Sequence, residues 1–169
     1  VRRRIPRRLL ALLGALLAAA AGGAAWWPAG PPSRADLAGH AVVVDGDTLT
    51  LNGQRIRLDA LDAPESRQRC ERGGAPWACG ADATLALRLR LQGHVLRCRD
   101  HGRDRYGRVL GQCWLGDEDV GAWLVREGWA VAYTEYSWRY LPQQAMARWE
   151  GRGLWSGSFE RPADWRRNH

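Results

Sequence analysis

The chain has 169 residues, a formal net charge of +7 and four cysteines, enough for one domain with its own core and not comfortably for two. It contains no lysine, which excludes a Walker A phosphate loop, a lysine Schiff base and a His–Lys catalytic pair. Arg2, Arg3, Arg4, Arg7 and Arg8 lie ahead of an apolar run; without them only about +2 remains, so bulk basicity is weak evidence for a nucleic-acid partner.

Residues 9–27 are uncharged and rich in Leu and Ala, with Ala19, Ala20 and Ala21 as small residues towards the end. A positive start, an apolar stretch and small residues make residues 1–27 a signal peptide. The run is also long enough to be retained as a membrane anchor, with Trp26 and Trp27 suited to the interface. Both readings imply export, to a secreted, periplasmic or membrane-anchored form. Residues 28–39, with Pro28, Pro31 and Pro32, read as a linker.

From Ala41 the pattern becomes β-like. Residues 41–44 are apolar and β-branched, residues 45–47 signal a turn, and residues 48–51 resume a strand. Asn52-Gly53 is a strong hairpin turn, after which residues 55–58 alternate polar with apolar. Residues 66–79 read as a polar, glycine-containing loop. Residues 81–91 read as a helix stopped by Gly93, and residues 94–98 and 109–115 as two more strands. Two helices follow, over residues 120–127 with Gly128 as the stop, and over residues 142–149 opening on Pro142. No element is expected after Trp155, which gives a domain over residues 40–157 and a tail over 158–169. Five strands and three helices suit an α+β fold, a small closed barrel with flanking helices.

Cys70, Cys79, Cys98 and Cys113 suggest disulfides in an exported chain, with three possible connectivities. Zinc competes poorly, because there is no C-x₂-C pair and His40, His94, His101 and His169 lack ligand spacing. Cys70 and Cys79 bracket one loop, while Cys98 and Cys113 lie on strands expected to be neighbours. The expected pairs are therefore Cys70–Cys79 and Cys98–Cys113.

Three short motifs carry chemistry. Asp45-Gly46-Asp47-Thr48 is a hairpin turn on its own, yet Asp47 leaves it as a hard oxygen ligand for a divalent cation. Asp62-Ala63-Pro64-Glu65, following Arg57, adds a second such carboxylate, a stiffening proline and a further carboxylate. Asp104-Arg105-Tyr106-Gly107-Arg108 reads alone as an exposed connection, and functionally as a phosphate-gripping guanidinium beside an aromatic face. Phosphodiester hydrolysis needs a Lewis acid, a base for water and cations for developing charge, and this set supplies each.

The runs V-V-D-G-D-T-L-T-L, R-L-D-A-L-D-A-P-E, D-R-Y-G-R and A-W-L-V-R-E-G-W-A, in that order, closely resemble the staphylococcal nuclease (thermonuclease) family over residues 40–156. The resemblance implies an OB-fold-type five-stranded β-barrel flanked by three α-helices, and a Ca²⁺-dependent endonuclease, with an exonuclease component allowed, hydrolysing DNA and RNA to leave 3′-phosphates. It implies Asp47, Asp62 and the backbone carbonyl of Ala63 as Ca²⁺ ligands, with Asp45 a further ligand or a support to one. It implies Glu65 as general base, Arg57 and Arg108 as the guanidiniums on the scissile phosphate, and Tyr106 and Tyr133 as lining of the nucleotide pocket. Ala63 stands where the family has threonine, and residues 66–78, carrying Cys70 next to Cys79, depart from the family pattern. The rival expectations are an OB-fold nucleic-acid-binding module without catalysis, and an enzyme on a smaller phosphodiester.

Overall fold

The computed structural model describes residues 36–169. Alternating burial turns β1 (Leu37–Val43), β2 (Thr48–Leu51) and β3 (Gln54–Leu58) into a sheet with one face inward. Leu49, Leu51, Ile56 and Leu58 are buried on that face. Asn52 (φ 49°) and Gly53 (φ 77°) both take the left-handed conformation of a two-residue hairpin turn. That turn fixes the register, with Leu49 opposite Ile56 and Thr48 opposite Arg57.

The short β4 (Leu61–Asp62) follows a sharp turn at Ala60, a non-glycine residue at φ 66°. A hairpin of β5 (Cys70–Arg72) and β6 (Ala75–Trp77) comes next, then helix α1 (Cys79–Leu91). β7 (Val95–Arg103) pairs antiparallel with β1 and with β8 (Val109–Leu115). β8 then runs parallel to β3, with Ile56 opposite Val109, and this closes β1, β2, β3, β7 and β8 into a barrel. β9 (Glu118–Asp119) leads into helix α2 (Val120–Arg126), capped by Asp119 accepting from the Ala122 N–H at 3.0 Å. β10 (Val131–Ala132) pairs with β4, setting Val131 opposite Asp62. Helix α3 (Leu141–Glu150) follows, with Gly151 ending it in a left-handed conformation, and helix α4 (Pro162–Asn168) closes the chain. Leu87 and Leu91 of α1 and Leu124 and Val125 of α2 complete the barrel's core.

The α+β, OB-type five-stranded barrel expected from the sequence is the observed architecture. Both expected disulfides are present, Cys70–Cys79 tying β5 to the start of α1 and Cys98–Cys113 joining directly opposed residues of β7 and β8.

Five boundaries differ from expectation, the first being that β7 runs on to Arg103 where a strand over residues 94–98 was expected. β1 starts at Leu37, so residues 37–39 of the expected linker are barrel strand, and Asn52 Nδ2 ties the hairpin turn to the Ala38 carbonyl at 2.9 Å. The stretch read as a loop contains the β5–β6 hairpin, and Cys79 already belongs to α1. The break expected at residue 158 is bridged by two backbone hydrogen bonds between Glu71 and Ser158, at 2.9 and 3.0 Å. The tail forms α4, a fourth helix where three were expected. The signal-peptide or anchor segment, residues 1–27, lies outside the described residues.

Candidate active site

The site is built where the β1–β2 turn, β3 and β4 meet at one end of the barrel. The turn is closed by the Val44 and Asp45 N–H groups donating to the Thr48 carbonyl at 2.9 and 3.2 Å, and the Asp47 N–H donates to Asp45 Oδ1 at 3.1 Å. This aims the Asp47 carboxylate inward, where it is 5% exposed. Its Oδ1 accepts from the Thr48 hydroxyl at 3.1 Å and its Oδ2 from the Ala63 N–H at 3.2 Å, so one carboxylate stitches the turn to the segment after β4. Gly46 permits this approach, since a Cβ there would lie 2.8 Å from the Ala63 methyl. Asp62 arrives from β4, held by β10, and is 1% exposed.

Arg57 projects from β3 between the two aspartates. Its Nη1 pairs with Asp47 Oδ2, its Nη2 donates to Asp62 Oδ1 at 2.9 Å, and the side chain is 13% exposed. Burial works against the guanidinium charge, but the two carboxylates outweigh it and push the Arg57 pKa up. Compensation runs short on the acidic side. Burial pushes Asp62 above the usual carboxylate range despite hydrogen bonds from Arg166, with the Asp47 charge adding to the rise. Burial, and then the Asp47 charge, raises Asp45 as well. Burial and the neighbouring Asp47 charge thus both work against ionised Asp62 and Asp45.

Arg108 reaches the same end from just ahead of β8. Its Nε and Nη2 lie 2.7 Å from Asp104 Oδ2, and its Nη1 donates to the Thr48 hydroxyl at 3.4 Å. Burial opposes ionisation of Asp104, but hydrogen bonds from Arg108 and the Tyr106 N–H together hold its carboxyl below the usual range. The loop also turns Tyr106 over Arg108, with the guanidinium carbon 5.5 Å from the ring centroid and the tyrosine 69% exposed. Tyr133 is half-buried and stacks edge-on to Tyr136 at 4.8 Å. Burial, and then the charges of Glu135 and Asp62, raise its phenol pKa.

Glu65 is half-buried just beyond Pro64. Three residues that the sequence reading missed hold it. Gln68 is buried, and its amide oxygen accepts from the Glu65 N–H at 3.3 Å while its Nε2 donates to the Glu160 carbonyl at 2.7 Å. Gly80 lets α1 pack on the Glu65 backbone, because a Cβ at that position would lie 1.7 Å from the Glu65 carbonyl oxygen. Arg166 of α4 donates to Glu65 Oε1 at 3.0 Å and lies 3.0 Å from each Asp62 oxygen, Nη1 against Oδ1 and Nη2 against Oδ2. The D-G-D turn signalled its own aspartates, but no local spacing signals Arg166, which meets Asp62 from 104 residues away.

The structure thus brings Asp45, Asp47, Asp62, Ala63, Glu65, Arg57 and Arg108 to one end of the barrel. Among the described residues, no three acidic, His or Cys side chains close into a ready coordination sphere. The oxygens of Asp47 and Asp62 are instead held by Arg57 and Arg166. The chemistry of the donors nonetheless fits a hard divalent cation: they are oxygens, and the crowding of three acids is what a bound cation relieves. Asp47, Asp62, the Ala63 carbonyl and Asp45 are the groups that would hold it.

Comparison with known proteins identifies the family of the chain. The family model described as "Staphylococcal nuclease homologue" matches residues 55–157. The chain is 39% identical over 128 residues to the succinoglycan biosynthesis protein ExoI of Rhizobium meliloti, covering 73% of this chain and 67% of that protein. It is 38% identical over 130 residues to an uncharacterized endonuclease of Escherichia coli, covering 72% and 79%. A probable staphylococcal-like nuclease, CAN1 of rice, is 35% identical over 130 residues, covering 73% of this chain and 35% of that longer protein. On these grounds the chain belongs to the staphylococcal nuclease family, and its activity class is that of a nuclease, a hydrolase.

Proposed function

We propose that this protein is an exported, Ca²⁺-dependent endonuclease that hydrolyses the phosphodiester bonds of DNA and RNA, cutting the P–O5′ bond to leave 3′-phosphates. The observation that carries the reading is the convergence of two buried aspartates, one half-buried glutamate and two guanidiniums at one end of a closed barrel. When bound, the cation supplies Lewis-acid polarisation of a phosphoryl oxygen. Asp47 and Asp62 are the anionic donors for it, fixed by Thr48, the Ala63 N–H and the β4–β10 pairing.

The protein's own residues account for the remaining steps. Glu65 accepts a proton from the attacking water, which approaches phosphorus opposite the leaving oxygen. Arg57 and Arg108 bind the equatorial phosphoryl oxygens, where negative charge grows in the transition state. Both guanidiniums are already aimed by carboxylates, Arg57 by Asp47 and Asp62 and Arg108 by Asp104, so little reorganisation is needed when phosphate arrives. Tyr106, exposed beside Arg108, offers a face for a base or sugar without selecting a sequence. The test is cleavage of DNA and of RNA with Ca²⁺ and with excess chelator, followed by analysis of the ends. Ca²⁺-dependent cutting with 3′-phosphate products is expected. Undiminished cutting in chelator rejects the metal-assisted reading, and binding without any cutting favours a non-catalytic OB-fold module.

A further inference from the structure

The groups needed for catalysis do not account for Arg166. It lies in α4, in a segment with no motif, yet its guanidinium bridges the proposed cation donor Asp62 and the proposed base Glu65. The contact with Asp62 is two-pronged, Nη1 to Oδ1 and Nη2 to Oδ2, each 3.0 Å. Asp62 Oδ1 also accepts from Arg57 at 2.9 Å. Both oxygens of a carboxylate that is 1% exposed are therefore engaged by guanidiniums. A cation that takes up Asp62 must compete with both guanidiniums for its oxygens and lie against their positive charge. Of the two, Arg166 is the one able to leave: its side chain is 36% exposed against 13% for Arg57, and it sits on a seven-residue helix rather than a barrel strand.

We propose that Arg166 is an internal counter-cation for the site, a positioning residue that holds Asp62 and Glu65 in place when no metal is bound and exchanges with the divalent cation when one arrives. This rests on the reading of the site as a divalent-cation site. Arg166 is supplied by a segment already tied to the catalytic loop. The Glu160 carbonyl accepts from Gln68 Nε2 at 2.7 Å, and the Gln68 amide oxygen accepts from the Glu65 N–H. The base of α4 thus stays docked through Gln68 while Arg166 swings away. Cation binding and release of the α4 end are then one coupled equilibrium. Metal affinity is reduced by the fraction of molecules in which Arg166 holds Asp62.

A partly exposed ion pair is worth little singly, so the penalty on metal affinity is modest, about two- to tenfold. The test is isothermal titration of Ca²⁺ into the intact mature protein and into R166Q and R166K, together with hydrogen exchange of the parent with and without Ca²⁺. Internal competition predicts that R166Q binds Ca²⁺ about two- to tenfold more tightly. It predicts that R166K also binds more tightly than the parent, because an ammonium cannot reproduce the two-pronged contact. It also predicts that Ca²⁺ lowers the protection of α4 amides while barrel amides gain protection. If R166K matches the parent and only R166Q tightens, the effect is the general field of a positive charge, and the exchange is overturned. Unchanged or increased α4 protection in Ca²⁺, or weaker binding by R166Q, overturns it as well. A parent that binds Ca²⁺ and cuts DNA while both variants titrate like it sinks this proposal alone; a parent that neither binds Ca²⁺ nor cuts sinks the functional reading with it.

Discussion

At the scale of single residues, the site is a charge-balance problem that the sequence states only in part. The D-G-D turn and the D-A-P-E run signal carboxylates, and the barrel register places Arg57 opposite Thr48, close to both. Arg57 neutralises two buried aspartates, and the proposed function adds the binding of phosphate; substitution can separate the two. Arg57→Ala leaves buried Asp47 without its cation and Asp62 with Arg166 alone, and should cost about 3 kcal/mol or more of stability, along with roughly 10²-fold or more in turnover. Arg57→Lys keeps the charge without the planar fork, so thermal unfolding should show recovered stability while turnover stays low. Full recovery of both by lysine would refute the phosphate-binding role. Asp45 gives the opposite case. Its pKa is raised by burial and by Asp47, so its stabilising contribution is present below the ordinary carboxylate pKa of about 3.9 and is lost as pH rises through the raised value. Asp45→Asn keeps an oxygen to accept from the Asp47 N–H and removes the charge. Metal-free Asp45→Asn should therefore melt higher than the parent at neutral pH, with the gap closing towards about pH 4. A variant that melts lower at neutral pH would show that the Asp45 charge is not a burden there.

At the scale of elements, local pattern served well where it was strong. The barrel strands, the Asn52-Gly53 turn and helices α1, α2 and α3 were legible because alternation, turn chemistry and stop glycines are local signals. The β5–β6 hairpin was not, because C-E-R and A-P-W contain no alternation and its stability comes from a disulfide and from Ser158. Helix α4 escaped notice for a similar reason: its sequence P-A-D-W-R-R-N has no apolar stripe, and its docking comes from Arg166 and the Gln68–Glu160 contact. Two elements bear directly on Glu65. The first turn of α1 packs on its backbone at Gly80, so Gly80→Ala must push the loop away. Overpacking of this kind costs about 1–3 kcal/mol, and a displaced base should lower turnover about 10-fold or more. Turnover unchanged in Gly80→Ala would mean that the loop's position does not matter to the base. The two disulfides close loops of sequence separation 9 and 15, each worth roughly 3 kcal/mol in the chain-entropy model. Removing Cys98–Cys113 should lower the melting temperature with little change in turnover, since it links barrel strands. Removing Cys70–Cys79, which anchors the segment after Glu65, should lower both. Equal losses of turnover from the two would break that distinction.

At the scale of the whole molecule, the barrel is a rigid frame and the chemistry sits on its turns and on the segments that return to them. The candidate set was legible as a cluster because each member lies in a short motif in the order that resembles a known family, and the structure gathers them at one end of the barrel; their catalytic roles belong to the proposed function. What supports that set was not legible, because Gln68, Gly80 and Arg166 act through contacts that exist only once the chain has folded. The central claim is that this end of the barrel hydrolyses nucleic acid with Glu65 as the base. The most direct measurement is single-turnover cleavage of a labelled DNA strand in saturating Ca²⁺ by the parent and by Glu65→Gln, with binding of the same strand measured by anisotropy. Glu65→Gln preserves the side chain's shape and removes the basic carboxylate. The account predicts a parent that cuts, a variant slower by about 10²–10⁴, and affinities that agree within a few-fold. A variant that cuts at nearly the parent's rate would contradict the role of Glu65, and a parent that binds the strand in Ca²⁺ without cutting it would contradict the assignment as a nuclease.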